Sequence, residues 1–331
     1  MPAAPRKVAT SAMPAAPTTS PTPSAVRPTP ALASTRTGVL TGIGCYVFWG
    51  LCPVFWKLLG AVNPFEVIAN RIIWSLAFMV LVCRVMHLDY LGLLRSRRTL
   101  RYLLPASLLI RSVYIWAVAA GNLVECALGY YINPLMSILF GVVFFKEKLT
   151  RLQTAATLLM GAGVLYFSVA YGQIPWIALA LALTFALYGV VKKKGGCPPI
   201  EAIAVENTLA APIGLAIGVA TALITGGHAF LADPASVASW GVTGLLVLAG
   251  PVTAIPLVLF SKAANNIPLS LLGFIQYVSP TLSLLLGVFA YGEAFTSAHA
   301  VCFACIWVGL ALVSFEAVRG SLGRPRGGRR G

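Results

Sequence analysis

Runs of about twenty apolar residues follow one another along almost the whole chain, separated by short segments that collect charge, glycine and proline. A helix rises about 1.5 Å per residue, so a run of that length crosses a hydrocarbon core about 30 Å thick. Ten runs are predicted, at 38–60, 65–87, 102–121, 124–145, 151–170, 174–191, 200–224, 240–262, 269–290 and 297–317. They lack the period-two alternation of an outer-membrane strand, which predicts helices and not a barrel. The expected fold class is an all-α membrane protein with ten transmembrane helices.

The most informative pattern is a repeat. Residues 131–150, YINPLMSILFGVVFFKEKLT, align without gaps on 277–296, YVSPTLSLLLGVFAYGEAFT, with eight of twenty positions identical. The shared residues include Tyr131/Tyr277, Pro134/Pro280, Gly141/Gly287 and Glu147/Glu293. The match carries the fourth run onto the ninth, a step of five helices. Five is odd, so the copies cross the bilayer in opposite directions: two inverted five-helix repeats, expected at 37–170 and 171–318.

Composition agrees with the membrane reading. The chain is 58% hydrophobic and 10% charged, with a mean hydropathy of +0.86, whereas soluble domains carry about 25% charged residues. A net charge of +15 would point to nucleic acid in a soluble protein, but its placement points elsewhere. With the N-terminus in the cytoplasm, 21 of 24 Lys and Arg fall on the cytoplasmic side, among them Arg95, Arg97, Arg98 and Lys192 to Lys194. Such a bias predicts both termini inside, in a cell (inner) membrane, with no nucleic-acid partner. Residues 1–36 hold eight prolines and no acid, and 319–331 are rich in Arg and Gly. Both are expected as disordered cytoplasmic tails.

Polar groups inside the runs mark candidate chemistry, because each ionisable residue near mid-depth costs roughly 2.5–3.5 kcal/mol. Arg111 is too deep to snorkel to either interface. It either forms an ion pair, with Glu125 or Glu206 as partner, or meets a substrate, in which case an anion is favoured. Glu206 lies about two turns into the seventh run, counted from the cytoplasmic side. Pro134 and Pro280, near the midplane of opposed repeats, remove backbone donors, and the freed groups must face protein or a wet cavity. Around them Tyr131, Asn133, Gln276, Tyr277 and Ser279 offer uncharged hydrogen-bonding groups, either for a polar solute or for tying helices together. Trp49 is deep enough to wall a cavity. Lys57 and Arg71, at the outer helix ends, and Glu125, at a helix N-terminus, fit a gate or a structural role; Glu147 and Glu293 fit turns between helices.

Enzyme chemistry finds little support. No HExxH, GxSxG or GxxxxGK[ST] motif occurs, and the three histidines have no ligand spacing. Cys302 and Cys305 have CxxC spacing in an apolar helix without a second pair. No metal and no cofactor are expected. The function expected is a multi-pass permease for small organic solutes working by alternating access; a receptor or scaffold without transport and an intramembrane enzyme are the alternatives. Its partners are a small-molecule substrate and the lipid bilayer, with monomer and homodimer both open.

The order of short motifs resembles the drug/metabolite transporter superfamily, and within its EamA-like members the RarD-type permeases. The resemblance rests on Phe48-Trp49-Gly50 with Pro53 and Lys57; Pro64, Glu66, Arg71 and Trp74; Ile115-Trp116-Ala117-Val118; Leu128-Gly129-Tyr130 and Ile132-Asn133-Pro134-Leu135; then Tyr188-Gly189, Ile255-Pro256-Leu257, Gln276-Tyr277, Pro280-Thr281 and Tyr291-Gly292-Glu293. It implies two EamA repeats around a central cavity and transport of small organic solutes, typically export, with a loose link to chloramphenicol resistance. The segment Leu109–Tyr114 departs from the family's Gly-x-Asn-Trp pattern and brings in Arg111.

Overall fold

A computed structural model describes residues 32–119, 123–170, 172, 175–226, 228–230, 237–292 and 294–322. All regular structure among them is helical. In chain order the helices are α1 (Leu32–Leu58), α2 (Pro64–Val85), α3 (Tyr90–Arg95), α4 (Arg97–Ala119), α5 (Leu123–Phe145), α6 (Arg151–Ala170), α7 (Trp176–Gly195), α8 (Pro199–Thr225), α9 (Val237–Asn266), α10 (Leu269–Gln276), α11 (Val278–Leu285) and α12 (Ser297–Leu322). A π-helical turn over 286–290 continues α11. Nine segments among the described residues are long and apolar enough to cross a membrane, with α10, α11 and the π turn making one of them. The tenth is α4, whose Arg97, Arg98, Arg101 and Arg111 lower its hydropathy.

Local sequence explains most helix ends. Pro64 sits at the start of α2, where a missing N–H costs nothing, and the Asn63 side chain accepts from Phe65 N. Gly196 closes α7 at φ +56°, a left-handed conformation that suits glycine. Several boundaries and one element differ from expectation. Residues 32–36, expected in the tail, form the first turns of α1, and Ser34 Oγ donates to Asn266 Oδ1 at 2.5 Å. At the other end α12 continues to Leu322. The short helix α3 was not predicted; six residues are below the length that a periodicity reading detects, although Asp89 caps it through Gly92 N at 2.8 Å.

The helix contacts obey an exchange rule. Helices α1, α2, α4, α5 and α6 correspond in order to α7, α8, α9, α10–α11 and α12. Under that exchange α5 against α7 becomes α11 against α1, α4 against α7 becomes α9 against α1, and α4 against α8 becomes α9 against α2; all of these contacts are present. The pairs α2–α8, α5–α10 and α6–α12 map onto themselves. All of these contacts join one repeat to the other, so the halves interdigitate.

The inversion is visible where α5 meets the α10–α11 segment. Tyr277 Oη donates to the Tyr131 carbonyl at 3.5 Å, and Ser137 Oγ donates to Gln276 Oε1 at 3.1 Å. Further on, Glu147 reaches the amides of Leu269 and Ser270. Advancing along α5 steps back along its counterpart, so the two are antiparallel. Large apolar side chains such as Leu158, Leu165, Val169 and Leu223 are exposed on the outside of the bundle, as a lipid-facing surface requires.

Candidate functional site

One end of the bundle gathers the basic segments: Arg95 to Arg101, Lys146 and Lys148, Lys193 and Lys194, and Arg319. A cavity of about 260 Å³ extends from mid-bundle toward the opposite end, between the two repeats. Its deep wall contains Tyr46, Trp49, Phe185 and Leu257; Trp56 and Arg71 stand toward the far ends of α1 and α2. Trp49 packs edge-on to Phe185 with centroids 5.5 Å apart, and Phe185 packs on Phe260 at 5.3 Å. Phe260 stacks on Tyr188 at 5.5 Å. These rings form a floor between the cavity and the basic end.

Seven of the residues singled out from the sequence line the cavity: Trp49, Arg71, Arg111, Asn133, Gln276, Ser279 and Pro280. Proline chemistry explains the geometry at the last of these. Pro280 would clash with the carbonyl four residues back, which belongs to Gln276. The helix breaks there, with α10 ending at Gln276 and α11 beginning at Val278. Pro134, the counterpart of Pro280, is buried in an unbroken α5 and does not line the cavity. The opposed prolines thus differ in effect, one breaking its helix and the other remaining within it.

Other candidates lie elsewhere. Tyr131 packs its ring against Phe167 and Phe303, with centroids 5.5 and 5.3 Å away, and Tyr277 is fully buried in the same apolar cluster. Both tyrosines rotate away from the cavity because α5 and its counterpart turn those faces toward α6 and α12. Lys57 is exposed, its ammonium 3.5 Å above the Tyr291 ring. At the basic end Lys193 sits 5.2 Å above Phe145, the residue that aligns with Tyr291 in the repeat. The Glu125 side chain and Glu293 lie outside the described residues.

Glu206 stands behind the cavity wall, not on it. Its carboxylate meets Lys192 Nζ at 2.7 Å and accepts from Tyr188 Oη at 3.3 Å, with Glu206 and Lys192 both buried. Lys192 therefore points into the interior, although Lys193 and Lys194 of the same last turn of α7 stand at the basic end. Arg111, for which an ion pair with Glu125 or Glu206 was one expectation and a substrate contact the other, is held by neutral acceptors among the described residues. It donates to the Ser107 carbonyl and hydroxyl at 3.2 and 3.3 Å, and to Asn207 Oδ1. Asn207 in turn donates to Ser75 Oγ at 3.0 Å, and Ser107 Oγ donates to the Glu206 carbonyl at 2.9 Å. Arg71 donates through Nε to Thr253 Oγ1 at 3.1 Å and stacks on Trp56 at 4.4 Å.

At the basic end Glu147 fastens the two repeats together. Its carboxylate accepts from Leu269 N at 2.8 Å, Ser270 N at 2.8 Å and Ser270 Oγ at 2.7 Å, and lies 3.3 Å from Lys193 Nζ. A carboxylate at the N-terminus of α10 complements unpaired amides and the helix dipole. Burial raises the Glu147 carboxyl, but the Ser270 and Leu269 hydrogen bonds and the Lys193 charge outweigh it and hold the group below its ordinary value. Sequence reasoning assigned Glu147 to a turn, and its partners were invisible because they are about 120 residues away.

Among residues missed in the sequence, Cys52, Trp56, Thr184, Thr253 and Ser283 also line the cavity. Ser283 aligns with Ser137 of the first repeat, a signal that was present but not specific. Among the described residues no group of three His, Cys, Asp or Glu is arranged to hold a metal ion.

Interlocked inverted five-helix repeats around a central cavity define a membrane transporter fold. The sequence pattern of the EamA-like transporter family matches residues 36–169 and again 174–315, and the chain belongs to that family. It is 41% identical over 295 residues to the uncharacterized transporter YojE of Bacillus subtilis, covering 87% of this chain and 96% of that one. It is 37% identical over 291 residues to protein RarD of Escherichia coli K12, covering 86% and 96%. A solved crystal structure of a protein 21% identical superposes with a TM-score of 0.66 over 85% of this chain and 98% of its own. The chain is thus a multi-span membrane transporter of the EamA/RarD type, not an enzyme.

Proposed function

We propose that this protein is an inner-membrane permease that carries small organic solutes by alternating access, with both termini in the cytoplasm. The observation that carries the proposal is the cavity between the repeats, floored by aromatic rings and fastened at the basic end by Glu147. Positive charge favours the cytoplasmic side, so the basic end faces inward and the cavity belongs to an outward-facing state. Exchanging the conformations of the two halves converts that state to its inward-facing counterpart. Export is the direction implied by the family resemblance. A Pseudomonas aeruginosa relative, 28% identical, is called chloramphenicol-sensitive protein RarD, which makes chloramphenicol one solute to include. A scaffold without transport has no need of a cavity at this depth.

Cells with and without the protein, loaded with an isotope-labelled metabolite pool and with chloramphenicol, provide the test. Release of at least one solute should exceed the control, and Thr184→Trp, which fills the cavity, should abolish the excess. Equal release across the pool in both strains would overturn the permease reading.

A further inference from the structure

We propose that the cavity selects a small organic anion, a carboxylate with an apolar or aromatic body, and that Arg111 is the residue that recognises its charge. The inference rests on the permease reading and narrows its substrate class.

Charge balance provides the first argument. Among the described lining residues, Arg71 and Arg111 carry positive charge and none carries negative charge. Glu206, the carboxylate behind the wall, is already matched by Lys192 at 2.7 Å. The Arg111–Glu206–Lys192 group therefore keeps one net positive charge inside a low-dielectric bundle, an expensive arrangement without a counterion. A substrate anion supplies one.

Geometry provides the second. Ser107 and Asn207 are buried neutral groups that fix the guanidinium without cancelling its charge. A guanidinium has five N–H donors in a planar fork suited to a carboxylate. The three contacts to Ser107 and Asn207 occupy part of that fork and leave the rest for a ligand.

Unmet hydrogen bonding provides the third. The Tyr46 hydroxyl and Asn133 Oδ1 both belong to residues that line the cavity, are 1% and 5% exposed, and have no hydrogen-bond partner. Buried polar groups are nearly always satisfied; both atoms have almost no accessible area, so a polar ligand would meet them only once the wall relaxes around it. Trp49, Phe185 and Ile72 supply the apolar wall against which its body lies.

The test uses benzoate, 4-hydroxybenzoate and phenylpyruvate, each beside its primary amide, added to the purified full-length protein in detergent. Binding is read as a rise in unfolding temperature and as a change in tryptophan fluorescence. At least one carboxylate should bind roughly tenfold to a hundredfold more tightly than its amide, the range expected for a charge-assisted contact. Arg111→Gln should erase that preference, whereas Arg111→Lys, which keeps the charge but not the fork, should retain part of it. Amides binding as well as acids, no acid preferred over its amide, or a preference that survives in Arg111→Gln would each overturn the proposal. Flux of the same compounds into proteoliposomes separates the two readings. Acid-selective binding without flux would leave the anion site standing and sink the permease; flux of amides alone would do the reverse.

Discussion

The Lys192 ammonium and the Glu206 carboxylate stand 2.7 Å apart, joining α7 to α8 at a point where both side chains are almost wholly shielded. Breaking a buried ion pair from one side leaves the other charge stranded, at a cost of about 3–5 kcal/mol. Glu206→Gln should therefore lower the unfolding temperature sharply in detergent. Replacing both partners, with Lys192→Met and Glu206→Leu, removes both charges and should restore much of the loss. A double variant no more stable than the single one would refute this account of the pair.

Glu147 predicts a specific dependence on pH. Its carboxyl is held below the ordinary value of 4.5, so its contribution to stability is complete above that value and is lost as pH falls through the lower, folded-state value. Charge-assisted hydrogen bonds contribute about 1.5–3 kcal/mol each, and Glu147→Gln keeps acceptor capacity but loses the charge. The unfolding temperature of Glu147→Gln should lie several degrees below that of the unaltered protein. The gap should be constant from about pH 6 to 8 and close only below the free carboxylate value. A gap that varied across neutral pH would show that another group governs the effect.

Gly273 marks a close approach of α10 to α5. A methyl group there would stand 2.7 Å from Ile138 Cγ1 and 2.9 Å from the Pro134 carbonyl, and a backbone atom cannot rotate aside. Gly273→Ala should destabilise by about 1–3 kcal/mol, the usual cost of overpacking. Gly44→Ala, where nothing lies within 4 Å of the added methyl, should be neutral or slightly stabilising. Thermal unfolding of the two variants side by side checks this; equal behaviour would mean that the repeats are not packed tightly at Gly273.

Much of the architecture was legible in the sequence. Apolar runs counted the crossings because a bilayer imposes one length on every helix. The Tyr131/Tyr277 to Thr150/Thr296 match supplied the inversion, since an odd number of crossings reverses direction. Arg111, Asn133, Gln276 and Ser279 were legible as lining candidates because polar groups at mid-depth need a partner or water. What remained hidden was the face each one presents. Tyr131 and Asn133 are two positions apart and equally polar by sequence, yet one packs against Phe167 and the other lines the cavity.

The sequence by itself determined the ten crossings, the pairing of the repeats and the set of polar residues held at depth. Only the tertiary structure decided that Glu206 takes Lys192 and leaves Arg111 with neutral partners, and that Glu147 reaches across to Ser270. The physical reason lies in the solvent. In water an apolar stripe reveals a helix's buried face, but in lipid both the packed and the exposed faces are apolar. Which way each polar side chain points is then set by partners on other helices, as Ser270 is for Glu147 from 123 residues away.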